Sequence, residues 1–332
     1  MNAGKKEVNS HKSKQVYIYA QWKRLQGIFR EIQSMLAEGE ISEITFTKDM
    51  ITAKFDTITK FRLELNVDDM RSCALETLNF GGYENNDSFM ILGSLRYVAE
   101  TVKDPIFFDV GANEGIYTIY GEKLGSMTVH AFEPAPNTAD LLCKNLKLNN
   151  CKSVIVNRVA CSDEQGRSEF VFARSLSGSS GFKDLLKMAD SEKINVETIT
   201  LSRYCERLGR LPDILKIDVE GAEYKVIKGL EKSIKAGASK PIIICEILRK
   251  WSAEYGYNAM ELHEYICSLG YKCYTSDNAM GLKECIRIDE KTEETNFLFV
   301  GDHSVFKIGA LIERIVETKR DLDHAKYMRI EP

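Results

Sequence analysis

The sequence predicts an α/β protein built on a mostly parallel, doubly wound sheet, with an N-terminal helix and a small β accessory region. Three observations carry that expectation. Apolar strand runs alternate with amphipathic helical stretches from residue 105 to residue 300, a pattern that lays helices on both faces of a parallel sheet. The run FFDVGANEG at residues 107–115 ends an apolar strand on an acid and follows it with two glycines four positions apart. A second strand, ILKIDVEGAE at 214–223, also closes on clustered acids.

Composition sets the frame. A chain of 332 residues that is 44% hydrophobic and 28% charged, with six prolines, is expected to be ordered and soluble, one main domain with accessory pieces. No apolar run reaches spanning length, and the basic N-terminus lacks the apolar stretch of a secretory signal, so a cytoplasmic location is expected. The nine cysteines are odd in number and form no C-x-x-C pair, and the five histidines form no H-x-x-x-H pair. Neither a disulfide framework nor a protein-held metal is expected. A net charge of −4 argues against a whole-surface attraction to nucleic acid.

Residues 1–14 are polar. Ile18, Trp22, Leu25, Phe29, Ile32 and Leu36 then recur at steps of four and three, a helical seam that should stop near Gly39. The seam would pack on its own chain, pair with a second copy, or lie on a membrane helped by Lys23, Arg24 and Arg30; membrane association is the less favoured. ITF, ITAKF and ITKFRLEL, within 41–65, predict a small meander. GGYENNDSF is a turn with an Asn-Asp cap leading into a helix striped by Leu92, Leu95, Ala99 and Val102.

The alternation follows: PIFFDV, a helix over 114–124, MTVHAF, a helix over 137–148, and SVIVNRV. Between 167 and 200 two strand-like runs flank SLSGSSGF, which predicts a hairpin-like insertion with a mobile loop. PDILKIDV, a helix over 222–236, PIIICEI, a helix over 259–269, YKCYTS and NFLFV complete the sheet. Val305, Ile308, Leu311, Ile312, Ile315 and Val316 stripe a last amphipathic helix, a second seam through which two copies would join.

Ligands of open parallel sheets sit beyond the carboxyl ends of the strands, where strand order reverses. At the first such end, Asp109 closes the strand and Gly111 and Gly115 allow a tight turn and a close backbone approach. The spacing is not that of a dinucleotide site: Asn113 and Ile116 stand where the second and third glycines belong, and a pyrophosphate beside Glu114 would meet a negative charge. No G-K-[ST] follows to make a phosphate loop. S-adenosylmethionine fits better, because its ammonium and sulfonium are positive and its ribose diol suits a carboxylate. Gly111, Ala112 and Asn113 would form the turn around it, Asp109 and Asn113 would face its methionine end, and Glu133, 22 residues after Gly111, would accept from the ribose hydroxyls. Lys216, between Leu215 and Ile217, needs an acid such as Asp218 if it is buried.

DVGANEGIYT at 109–118, AFEPAPN at 131–137 and DILKIDVEGAE at 213–223, in that order and spacing, resemble the FkbM family of S-adenosylmethionine-dependent methyltransferases. The likeness extends to GGYE at 81–84, GSS at 178–180 and PIIICEI at 241–247, and departs at LSRYC, where Ser202 stands for the family's usual Asp at a helix start. It implies a Rossmann-like class I methyltransferase fold in three parts: residues 1–80 accessory, 81–301 the methyltransferase domain, and 302–332 a C-terminal helix and tail. It also implies transfer of a methyl group to a hydroxyl, often on a sugar or a polyketide-like molecule.

Hydroxyl methylation needs a base within hydrogen-bond reach of the acceptor. Asp218, Glu220 and Glu246, at neighbouring strand ends, are the candidates. Asp218 would alternatively hold the cofactor's ammonium, and Glu223 reads as a solvated or capping acid. Ser179 and Ser180 in the flexible loop would donate hydrogen bonds to an acceptor. Two other classes compete. A nucleic-acid methyltransferase would share the cofactor, but the chain has no D-P-P-Y segment, no Pro-Cys nucleophile and no basic face with interleaved aromatics. A non-catalytic, oligomerising scaffold would use the terminal seams.

Overall fold

The computed structural model describes residues 11–83, 88–237, 239–277, 281–289, 291–301 and 306–330. The Asn-Asp cap expected at 85–87, and Val305, lie outside them. Helix α1 (His11–Glu38) is followed by an antiparallel sheet of β1 (Ile41–Phe46), β2 (Ile51–Asp56) and β3 (Lys60–Glu64). Its residues of period two, Ala53 and Phe55 with Phe61 and Leu63, are buried. They share one apolar core with Phe107 and Val129 of the main sheet, so the accessory region is packed into the domain and not tethered beside it. Two helices follow, α2 (Cys73–Phe80), which has no counterpart in the sequence reading, and α3 (Ser88–Thr101).

The alternating section gives β4 (Ile106–Val110), α4 (Ile116–Gly125), β5 (Thr128–Phe132), α5 (Pro136–Leu148) and β6 (Val154–Asn157). The insertion is β7 (Ala160–Cys161), β8 (Gly166–Ala173), a 3-10 turn (Arg174–Ser179) and β9 (Ser191–Ile199), a small sheet in the order β7-β9-β8. Then come α6 (Leu201–Leu208), β10 (Ile214–Ile217), α7 (Glu223–Ala236), β11 (Ile242–Glu246), α8 (Arg249–Glu254) and α9 (Ala259–Ser268). The chain closes with β12 (Tyr271–Asp277), β13 (Gly281–Glu284), β14 (Asn296–Gly301) and α10 (Ile308–Ile330). Ser202 does not start α6: the cap is Thr200, whose hydroxyl accepts from the Arg203 N–H, while Ser202 Oγ accepts from the Ser233 N–H of α7.

The main sheet has the order β13-β12-β14-β11-β10-β4-β5-β6. β11, β10, β4, β5 and β6 run parallel, and β14 and β13 run against their neighbours. Side chains alternate between two cores. Phe107, Ile214, Ile242 and Ile244 face one; Phe108, Val110, Leu215, Ile217, Ile243 and Cys245 face the other. Both faces are thus covered, which is why these strands read as unbroken apolar runs. The order reverses between β4 and β10, and their carboxyl ends flank the crevice where a ligand belongs.

The two terminal helices differ. α10 lies on α3 with Leu311 and Ile315 fully buried, Gly93 making room for the Ile315 backbone, and Arg96 paired to Asp321 at 2.6 Å. That seam is spent within the chain. On α1 only Met35 and Leu36 reach the core, while Ile18, Trp22, Leu25 and Phe29 are about half exposed (56%, 51%, 48% and 56%). No helix among the described residues is long and apolar enough to cross a membrane.

Candidate active site

The first wall of the crevice is the turn after β4. Gly111 has φ +83°, and a Cβ there would lie 1.7 Å from the carbonyl oxygen of Asp218, so only glycine lets the ends of β4 and β10 meet. The N–H groups of Gly111 and Ala112 donate to the Phe132 carbonyl at 3.0 and 3.1 Å, which ties the turn to the end of β5. Asn113, at φ +47°, is a residue type that tolerates this conformation, and its N–H donates to Glu133 Oε2 at 3.0 Å. The other oxygen of Glu133 accepts from the Ala135 N–H at 3.0 Å. Burial pushes the Glu133 carboxyl up to about 7 against the pull of these two N–H groups.

Asp109 is buried behind this wall and does not line the cavity. Its Oδ2 accepts from the Thr118 hydroxyl at 2.6 Å, it stands beside Lys216 in the β4–β10 register, and burial raises its carboxyl. Gly115 is also away from the cavity; its missing side chain makes room for Leu142 of α5. Glu114 corrects the sequence reading. Its side chain turns to the accessory region, where Oε2 accepts from the Ser72 hydroxyl at 3.3 Å and the Cys73 N–H at 3.0 Å. Burial, reinforced by Asp69, lifts it to about 8, so at neutral pH it holds its proton and sets no charge before a ligand.

The second wall is the end of β10. Lys216 Nζ, with 4% of its side chain exposed, lies 2.7 Å from Asp218 Oδ2 and 4.9 Å from the centre of the Tyr117 ring. Burial works to raise the Asp218 carboxyl, but Lys216, with Glu246 and Arg71, outweighs it and holds Asp218 below the usual carboxylate range. Asp218 is therefore a fixed anion. Glu220 is different. It sits in the left-handed region at φ +52°, a conformation that costs a non-glycine residue about 1–3 kcal/mol. It is buried, and its Oε2 has no hydrogen-bond partner among the described residues. Burial, followed by the Asp218 charge, pushes its carboxyl up to about 8. The next residue, Gly221, has φ +100° and leaves room for the Tyr255 ring, a contact that fixes the turn.

Glu223 is not solvated. It is 1% exposed and caps the turn from within: its Oε1 accepts from the Gly221 and Val219 N–H groups at 2.9 and 3.3 Å, and its Oε2 from the Tyr257 hydroxyl at 2.9 Å. Glu246, at the end of β11, reaches the same cavity as Asp218 and Glu220.

Gly111, Ala112, Asn113, Glu133, Asp218, Glu220 and Glu246 thus line one cavity. Sequence reasoning missed Arg71, brought in from the accessory region, and gave no role to Tyr83 of the GGYE turn or to Ser177 and Phe182 at the loop of 175–182. Of the two loop serines expected at an acceptor, Ser179 is buried away from the cavity, and Ser180 lines it while its hydroxyl accepts from the Ala173 N–H at 3.2 Å. The loop is anchored where it passes the site: the Ser177 N–H donates to Asp69 Oδ2 at 3.2 Å, and Ser175 accepts from the Met70 N–H at 2.9 Å.

The cavity's donor set suits S-adenosylmethionine. Five carboxyl groups (Glu76, Glu133, Asp218, Glu220, Glu246) face two bases (Arg71, Lys216), a lining rich in oxygen acceptors for an ammonium and a diol. Each Glu133 oxygen spends one lone pair on the backbone and keeps another for a diol.

The chain is similar to Methyltransferase 1 of Beauveria bassiana (30% identity over 153 residues, covering 40% of this chain and 61% of that protein). It is also similar to the hexuronic acid methyltransferase AglP of Haloferax volcanii (29% over 139 residues; 41% and 54%). The matches span less than two thirds of the length of these relatives. Among solved structures it is similar to a SAM-dependent methyltransferase from Agrobacterium tumefaciens, at 10% identity and a TM-score of 0.40, over 75% of this chain and 69% of that one. The model of the methyltransferase FkbM domain matches from Asp109 to Cys273, a stretch that takes in both glycine turns, Glu133 and the whole acidic end of β10. Residues 109–273 of this chain are a methyltransferase FkbM domain.

Proposed function

We propose that the chain is an S-adenosylmethionine-dependent O-methyltransferase acting on a hydroxyl of a small molecule or glycan, with a sugar hydroxyl favoured. The observation that carries the reading is Glu220: a residue on a strained turn that lines the cavity and has a buried carboxyl oxygen without a partner among the described residues, opposite a wall that holds a carboxylate already braced by two N–H groups. When bound, S-adenosylmethionine supplies a methyl group on a positively charged sulfur, a donor that needs no further activation. Glu133 accepts from the ribose diol. Gly111, Ala112 and Asn113 give the ligand a wall of backbone, and Asp218, kept ionised by Lys216, answers its positive charge. Once ionised, the Glu220 carboxylate accepts the acceptor's hydroxyl proton as that oxygen attacks; a carboxyl that titrates near 8 is a stronger base than an ordinary one, and the fraction ready to act rises as pH climbs to about 8. Glu246 stands next to Asp218 and is the alternative base. Ser177, Gly178 and Phe182 wall the cavity on the side of the insertion, where they would help keep water from the reacting oxygen. A sugar acceptor draws support from the relative named for hexuronic acid.

Radiolabelled methyl transfer into sugars, glycolipids and oligosaccharides, run beside RNA and DNA, tests the reading. Label in the carbohydrate fraction is expected. Label in nucleic acid alone would replace the acceptor class, and a chain that binds NADH while ignoring S-adenosylmethionine would end the proposal.

A further inference from the structure

A second cluster of chemically capable side chains lies outside the cavity and plays no part in methyl transfer. His263 of α9, Cys273 of β12 and Cys285, just past β13, bring a ring nitrogen and two sulfurs within 4.8 Å of one another. All three are buried, at 5%, 2% and 8% exposure, and none lines the cavity. The topology makes the meeting. Tyr274 pairs with Glu284, so Cys273 and Cys285 face each other across the same antiparallel ladder, and the Cys285 N–H donates to the Cys273 carbonyl at 2.8 Å. A fourth donor follows from helix periodicity: Cys267 is one turn beyond His263 on α9, with its Sγ 3.8 Å from His263 Nε2.

We propose that His263, Cys273 and Cys285, with Cys267 as fourth ligand, bind a zinc ion that staples α9 to the β12–β13 edge of the sheet. Tetrahedral zinc with Zn–S near 2.3 Å sets its thiolates about 3.8 Å apart, so His263, Cys273 and Cys285, already within 4.8 Å of one another, need move by only about 1 Å to close on the ion, while Cys267, which lies outside that group, has to swing further. Ordinary core packing explains buried cysteines, which behave as small apolar groups. It does not explain the histidine. His263 Nε2 lies 3.0 Å from the Cys285 carbonyl oxygen, the contact to which a metal-binding imidazole gives its N–H, and Nδ1 is buried with no partner among the described residues. An unpaired buried nitrogen is costly, and a metal would satisfy it. The ligand spacing, H-x3-C-x5-C-x11-C, matches no short zinc motif, which is why sequence reasoning expected no metal.

The test uses the full chain, untagged and reduced, equilibrated with zinc and freed of excess by gel filtration. About one zinc per chain is expected by elemental analysis, and cobalt in its place should give thiolate-to-cobalt charge-transfer absorption. Cys273→Ser and His263→Ala should each lose that metal, while Cys143→Ser, on α5, should keep it. If either variant fails to fold, the cobalt spectrum and zinc content of the unaltered chain decide. Less than about a tenth of an equivalent of zinc overturns the proposal. So does a Cys273–Cys285 disulfide in non-reducing peptide maps, or full zinc retention in folded Cys273→Ser. Because the readout is metal, it stands or falls separately from methyl transfer.

Discussion

Glu133 and Glu220 face the same cavity from opposite walls, and both have carboxyls raised by burial, yet they are prepared for different work. Glu133 is held by two backbone N–H groups on an unstrained strand end. Glu220 has an oxygen with nothing to accept from among the described residues and a backbone in an unfavourable region. A carboxylate whose position is already determined is suited to hold; one left unsatisfied is suited to react. Strain and an unmet hydrogen bond cost stability, so their survival together at one residue points to a use.

The largest effect should come from breaking the contact that joins the two walls. Gly111→Ala puts a methyl 1.7 Å from a backbone oxygen and should destabilise the chain by on the order of 4 kcal/mol in urea unfolding. Gly209→Ala, also at positive φ (+80°) but with nothing within 4 Å, should cost only about 1 kcal/mol. Equal losses would show that the walls do not depend on each other. Next, Glu220→Gln should slow turnover by roughly 10²–10³-fold with cofactor affinity unchanged, and should abolish the rise of rate with pH that the unaltered chain shows up to about pH 8. A variant with normal turnover would move the base to Glu246 or Asp218. Glu133→Ala should do the reverse, weakening cofactor binding by about 1.5–3 kcal/mol in calorimetry. Unchanged affinity would remove Glu133 from the ribose.

A further effect concerns both walls at once. In the fold Glu133, Glu220 and Glu223 keep their protons to about 7, 8 and 7, whereas the unfolded chain releases them near 4.5. Stability should be greatest below about pH 4.5 for these groups and fall as pH climbs to about 8, lowering the ligand-free Tm by at least a few degrees. A Tm that rises over that interval would mean the carboxyls are ionised in the fold.

How much of this was readable from sequence follows from the range of each interaction. The alternation from β4 to β14 was legible because strands buried on both faces leave continuous apolar runs. Gly111, Asn113, Glu133 and Asp218 were legible as positions because strand ends converge in any such sheet. Side-chain direction was not. Asp109 and Glu114 lie in the same short run as Asn113, yet one turns to Thr118 and the other to Ser72. Short pieces such as α2 and β13 carry too few residues for a period to show. Arg71 was invisible because it reaches the site only through the packing of the accessory sheet on the main core, a contact with no local signature.

The anchoring of Ser177 by Asp69 has a consequence for anyone who grafts loops between relatives. The cavity wall here is built jointly by two stretches more than a hundred positions apart. Transplanting the serine-rich segment alone would bring in a piece whose clasp stays behind in the donor, so exchanges should carry 66–72 along with 174–182.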